Sequence, residues 1–213
     1  MFSETDLAQL QNKGISISKV EEQLNAFKTG FPFLKIIKPA TPDSGINVLS
    51  PQEVAELVGI WNSKLESGTE VLKFVPASGA ASRMFKDLFE FIEEGSETPS
   101  KPAEIKFFSE IDKFAFYKKL SDTCKKNTGS NIEELISHGA YKSVAKQLLS
   151  SEGLNYGNLP KGLLLFHSYA DGKRTPLEEH LAEGAMYASD YAKIVKIHFT
   201  VSSEHKKLFE NLV

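Results

Sequence analysis

The chain reads as an α/β protein, a doubly wound parallel sheet preceded by helices, and three observations carry that reading. Short β-branched or apolar runs alternate with helical patterns. Capping signals stand directly before those patterns. The first apolar run passes straight into a loop of small residues that opens a helix, the layout of a βα turn.

The first 70 residues form an N-terminal helical appendage. Ser3 and Ser18 open two helical patterns, the second with Val20, Leu24 and Phe27 on one face, and Gly14 and Gly30 close them. Phe31 to Gly45 is Pro-rich and reads as an extended segment followed by a loop. Ser50-Pro51-Gln52-Glu53 is a capping box with Pro at the first helical position. Val54, Leu57, Val58, Trp61 and Leu65 then line one face until Gly68.

Residues 71–213 form the α/β domain. Val71–Val75 is the first strand, and Met84, Leu88, Phe89 and Ile92 give the next helix its apolar face. A helical insertion at about 95–157 follows, with patterns over 103–125 and 131–149. Leu163–His167 is the second strand, with Asp171-Gly172 as a turn behind it. Thr175-Pro176-Leu177-Glu178 caps a helix to about Tyr191, Ile194–Val201 is the third strand, and Ser203–Leu212 the last helix.

Composition narrows the function classes. Twenty-five basic residues against 28 acidic ones give a formal charge of −3, which argues against a general nucleic-acid binder, so any anion must be held by a local cluster. The single cysteine, Cys124, has no second thiol for a disulfide or a thiolate metal site. With no signal peptide and no run of transmembrane length, the chain reads as cytoplasmic and unattached to a membrane. Its oligomeric state is left open.

The chemistry concentrates in Val75–Lys86. Pro76, Ala77, Ser78, Gly79, Ala80, Ala81 and Ser82 let a ligand approach the backbone, and Gly79 is free to take a positive φ. The free N–H groups of a helix start attract negative charge, and Arg83 offers two parallel donors to the same anion. A structural reading, a plain strand-to-helix turn with a surface arginine, weighs equally for this loop taken alone. Lys161, after Pro160, is a second candidate cation, and Lys86 and Lys73 are auxiliary ones. The lysines between 113 and 126 read as a solvated face, and Glu178 as a cap partner. His167 and His180 read as structural histidines.

The ordered set Ser-Arg-Met at 82–84, Pro-Lys-Gly-Leu-Leu at 160–164 and Gly-Lys-Arg-Thr-Pro-Leu-Glu at 172–178 resembles the sugar-1-phosphate nucleotidyltransferase superfamily. With Phe-Pro-Phe-Leu-Lys at 31–35 and Val75–Lys86, the wording is similar to an uncharacterised bacterial family, domain of unknown function 4301. The superfamily resemblance covers 71–94 and 159–212. It implies a nucleotide-binding fold in which Arg83 and Lys161 are the catalytic cations, the loop holds nucleobase and phosphates, and Mg²⁺ assists. A nucleoside triphosphate and a sugar 1-phosphate would then yield a nucleotide sugar and pyrophosphate, uridylyl transfer being slightly favoured over cytidylyl transfer. Two departures stand out: Ser78 and Ala81 replace the superfamily's usual glycines, and no metal-binding Asp follows a later strand before Val213, so the metal ligands are unassigned. The resemblance thus implies the front part of a longer enzyme, with a non-catalytic nucleotide- or phosphosugar-binding module as the alternative.

Overall fold

The computed structural model describes residues 2–213 and shows a mixed α/β chain, about half helical, that divides along the sequence after Val54 into two compact units. In the first unit, α1 (Glu4–Asn12) and α2 (Ile17–Thr29) start where serine supplies a cap. Ser3 Oγ accepts from Asp6 N at 3.2 Å while Asp6 returns the bond to Ser3 N at 2.8 Å. Ser16 Oγ accepts from Lys19 N in the same way, two residues before the serine read from the sequence. Neither helix buries a residue, and Phe31, Phe33, Leu34, Ile36 and Ile37 of the following segment are exposed. α3 (Pro51–Glu66) begins at the expected capping box, Glu53 Oε2 accepting from Ser50 N at 2.7 Å, and runs across the boundary.

The second unit holds a small sheet and a helical core. β1 (Lys73–Pro76) lies parallel to a strand over Ile197–Thr200, with Lys73 opposite Ile197 and Pro76 opposite Thr200. Between them in sequence come α4 (Lys86–Glu93), α5 (Pro102–Ser109), α6 (Tyr117–Thr128), α7 (Ile132–Ser137) and α8 (Tyr141–Leu149). Next is an antiparallel hairpin of β2 (His167–Tyr169) and β3 (Gly172–Arg174), then α9 (Pro176–Tyr187). The Ile197–Thr200 strand is β4, and α10 (Lys206–Glu210) is the last helix. Among the described residues no helix is long and apolar enough to cross a membrane.

Helices α4 to α8 and the segments flanking them share one core. Phe91, Phe116, Leu120, Ile132, Val144, Leu148 and Leu164 are fully buried, each contributing roughly 1.5–3 kcal/mol relative to exposure. Rings in contact at 5.0–6.3 Å link Phe91 through Phe108, Phe107, Phe114, Phe116 and Tyr156 to Phe85, just beyond the small-residue loop. The stretch expected as an insertion therefore supplies most of the side chains against which that loop is anchored. Cys124 lies inside this core, and burial pushes its thiol up to about 11, away from thiolate chemistry.

The sheet is smaller than a doubly wound fold requires. The parallel sheet has two strands among the described residues, because Leu163–His167 does not join it. Lys161–Leu163 coil into a 3₁₀ turn, Leu164 is drawn into the helical core, and the N–H of Leu165 donates to the Tyr156 hydroxyl at 3.0 Å. With the N–H groups of Leu163 and Leu164 donating to turn carbonyls and that of Leu165 to a side chain, these residues have no donor left for a ladder. Only His167 enters a strand, in the hairpin turning at Ala170-Asp171.

Gly184 sets how closely α9 approaches the sheet. A Cβ there would lie 2.8 Å from Ile197 Cδ1 and 2.9 Å from Val195 Cγ1. Gly184→Val is expected to force these elements apart and lower stability by about 1–3 kcal/mol in urea unfolding. An unchanged midpoint would show that α9 does not seat on β4 in this way.

Candidate functional site

The small-residue loop leaves β1 and is fixed at three points. The N–H of Ala77 donates to Thr200 O at 2.9 Å, extending the β1–β4 pairing by one residue. Ala80 bridges Pro160, and the N–H of Lys161 donates to Gly79 O at 2.9 Å. Ala81 is fully buried and Phe85 nearly so, both in the helical core. Two motifs about 80 residues apart in sequence thus meet at Gly79–Ala80 and Pro160–Lys161, through backbone contact.

The loop residues divide by what their atoms already do. Pro76 has no N–H, Ala77 has spent its own on Thr200, and Ala81 faces the core, so these three shape the turn. The N–H groups of Ser78, Gly79, Ser82 and Arg83 donate to no carbonyl among the described residues, and Ser78, Gly79, Ala80, Ser82 and Arg83 are exposed. Neither Arg83 nor Lys161 has a hydrogen-bond or ion-pair partner for its side-chain cation among the described residues, and both are exposed.

Two expectations are corrected. Gly79 does not adopt a positive φ, and a Cβ added to it would meet nothing within 4 Å, so the fold does not require glycine there. The loop does not open directly onto an α-helix: a 3₁₀ turn, Ser82–Phe85, intervenes, and α4 starts only at Lys86. Lys86 pairs with Glu90 one helical turn on, at 3.5 Å, and Glu90 also accepts from Lys101 at 3.2 Å.

Lys73 is engaged elsewhere. From β1 it reaches α9, where its Nζ contacts Glu183 Oε2 at 2.5 Å and donates to His180 O at 3.1 Å, 5.0 Å from the Tyr187 ring centroid. Tyr187 OH donates to the same Glu183 oxygen at 3.0 Å, and His180 Nδ1 lies 3.2 Å from it. The hydrogen bond from Lys73, assisted by those from Tyr187 and His180 against partial desolvation, holds the Glu183 carboxyl down at about 2. Burial is the largest single influence and works against the Lys73 charge, but the hydrogen bonds to Glu183 and Tyr187 and their negative charge together outweigh it and the Lys73 value is raised. His180, read from the sequence as a structural histidine, makes a structural contact here, while Glu183 and Tyr187 carried no signal beyond helical spacing from it.

The implied Mg²⁺ does not find a protein-built site here. Val75–Lys86 contains no carboxylate, and among the described residues no group of three or more His, Cys, Asp or Glu is arranged to hold a metal ion.

Because the Glu183 carboxyl titrates far below its ordinary 4.5, its pairing with Lys73 stabilises the fold fully above about pH 4.5 and is lost as pH falls toward about 2. Glu183→Gln should therefore lower stability at pH 7 and flatten the acid limb across that window, read by urea unfolding at several pH values. A limb as steep as the parent's would assign acid sensitivity to other carboxylates.

No curated protein matches the chain, and no solved structure does. One family model, described as a domain of unknown function (DUF4301), matches residues 3–213. That match runs through both compact units, the loop after β1 and the Lys161 segment alike, and the chain belongs to the DUF4301 family.

Proposed function

We propose that the loop Ser78–Arg83 together with Lys161 holds the phosphates of a nucleoside triphosphate, and that the chain serves transfer of the nucleotidyl group to a sugar 1-phosphate. The observation that carries this reading is the backbone bond from Lys161 to Gly79, which places an unpartnered lysine beside a loop of unpartnered amides and an unpartnered arginine. In this reading the four N–H groups and two cations that the fold leaves unused are the donors offered to a polyanion.

In the reaction, an oxygen of the sugar phosphate attacks the α-phosphorus in line, forming the new P–O bond as the bond to pyrophosphate breaks. The protein supplies no nucleophile. The amides of Ser78 and Gly79 orient the phosphates, and Arg83 and Lys161 offset the charge that builds on the leaving pyrophosphate. Uridine nucleotides are the first choice of donor, by the resemblance of the Pro160–Leu164 and Thr175–Leu181 segments to uridylyl-transferring enzymes.

The carboxylate-free loop favours a second reading, a module that binds a nucleotide or phosphosugar without turning it over. Pyrophosphate release separates the two.

Calorimetric titration with UTP, CTP, ATP and GTP in the presence of Mg²⁺ should show binding of at least one nucleotide. Arg83→Ala and Lys161→Ala should each weaken it about tenfold or more, since a hydrogen bond to a charged group is worth about 1.5–3 kcal/mol. Absence of binding by all four, or binding indifferent to both substitutions, would remove the proposal. Gly79→Ala is the finer probe: it should leave the unfolding midpoint unchanged, because the added methyl meets open space, yet weaken nucleotide binding where phosphate approaches the backbone. A variant that binds as tightly as the parent would show that the ligand does not contact that glycine.

A further inference from the structure

A cleft of about 520 Å³ lies between the start of α6, the turn before it and the β2–β3 hairpin, within the size range of small-molecule sites. Neither Arg83 nor Lys161 lines it, so it stands apart from the loop and from the function proposed there. Its apolar part comes from Phe114, Ala115, Leu165 and the ring of Tyr117. Phe114 is held from one side by stacking on Phe116, with centroids 5.0 Å apart and planes 12° from parallel, which fixes an aromatic element in the wall.

Four lysines, 118, 119, 126 and 173, border this apolar surface. None of them has a carboxylate within 4.0 Å among the described residues. Asp112 and Asp122 also line the cleft, leaving a lining charge of four minus two, or +2, in a chain whose net charge is −3. The local sign is thus opposite to that of the whole molecule. Lys118 and Lys119 moreover occupy the first turn of α6, where the aligned peptide dipoles already make the potential positive and no acidic residue offsets them. A solvated lysine face has no reason to curve around an aromatic concavity, and cations crowded where the helix disfavours them gain most from an anion.

We infer that this cleft binds a small organic phosphate with a flat apolar body, the body against Phe114, Tyr117 and Leu165 and the phosphate against Lys118 and Lys119. Lysine suits the task because an ammonium on a flexible stem follows a phosphate as a point charge, while its methylenes extend the apolar wall.

The test is calorimetric titration of the whole chain at low salt with phenyl phosphate, AMP and UMP, with inorganic phosphate and adenosine as the two half-ligands. At least one organic phosphate should bind, with affinity falling as salt rises, and each half-ligand should bind at least tenfold more weakly. The double variant Lys118→Ala/Lys119→Ala should lose about tenfold or more, and Arg83→Ala should change nothing. Both lysines are exposed, so the unfolding midpoint should stay put; Lys126→Gln/Lys173→Gln gives a second reading if it does not. The inference is overturned by no binding of any organic phosphate, or by inorganic phosphate binding as tightly as the organic ones. Binding lost in Arg83→Ala but kept in the lysine variants also overturns it, since the ligand then sits at the loop.

Discussion

The backbone bond from Lys161 to Gly79 is the contact on which the arrangement of the candidate site depends. Upstream, the loop is tied to the sheet by the Ala77–Thr200 bond; downstream, it is tied to the helical core by Ala81 and Phe85. Between those anchors Gly79 and Ala80 make backbone contacts with the segment that brings Lys161. A loop fixed at both ends and in the middle has lost most of its conformational freedom before any ligand arrives, so ordering it on binding costs little. Four of the seven residues Pro76–Ser82, namely Ala77, Gly79, Ala80 and Ala81, serve this anchoring, and their small size reflects packing and pairing as much as access.

The sheet beneath the loop is short, two strands of four residues, and a pair of that size has little stability of its own. Two contacts with α9 reinforce it. At Gly184 the helix backbone comes close enough to β4 that no side chain fits between them. At Lys73, β1 extends a cation across to Glu183, whose oxygen is also approached by Tyr187 and His180. The lysine is almost wholly covered while the carboxylate is about a third exposed, so the pair is only partly withdrawn from water and orients more than it stabilises. Its effect is to fix where β1 ends, and hence where the loop begins.

What was legible in the sequence follows from how local each determinant is. The capping boxes at Ser50 and Thr175 are complete within four residues, and both helices start where those residues say. β1 and β4 were legible as β-branched or apolar runs bounded by turns. Leu163–His167 has the same composition and failed, because Tyr156 and the helical core, both distant in their effect, compete for its backbone and for Leu164. The pattern over 103–125 continues at helical spacing, yet the chain breaks at a 3₁₀ turn and an extended Phe114, whose ring joins an aromatic row that spacing does not reveal. Lys73 was misassigned to the loop for the same reason: its partner is 110 residues away.

The 3₁₀ turn after the loop also changes which forces are available to the anion proposed to bind there. An α-helix starting at Ser82 would present a full turn of aligned amides and the positive end of its dipole. Here α4 starts at Lys86, buries Leu88 and Phe91, and lies four residues beyond the small-residue segment. Its dipole falls off within a turn and contributes little at Gly79. Charge complementarity at the loop must then come from side chains, and Arg83 and Lys161 are the cations adjoining it that the fold has not already paired. Lys73 and Lys86, which the sequence offered as auxiliaries, are ion-paired with Glu183 and Glu90. Ion pairing inside the protein thus leaves two unpaired cations beside the loop, contributed by two separate segments, and the backbone hydrogen bond from Lys161 to Gly79 with the adjoining Ala80–Pro160 bridge holds those segments together.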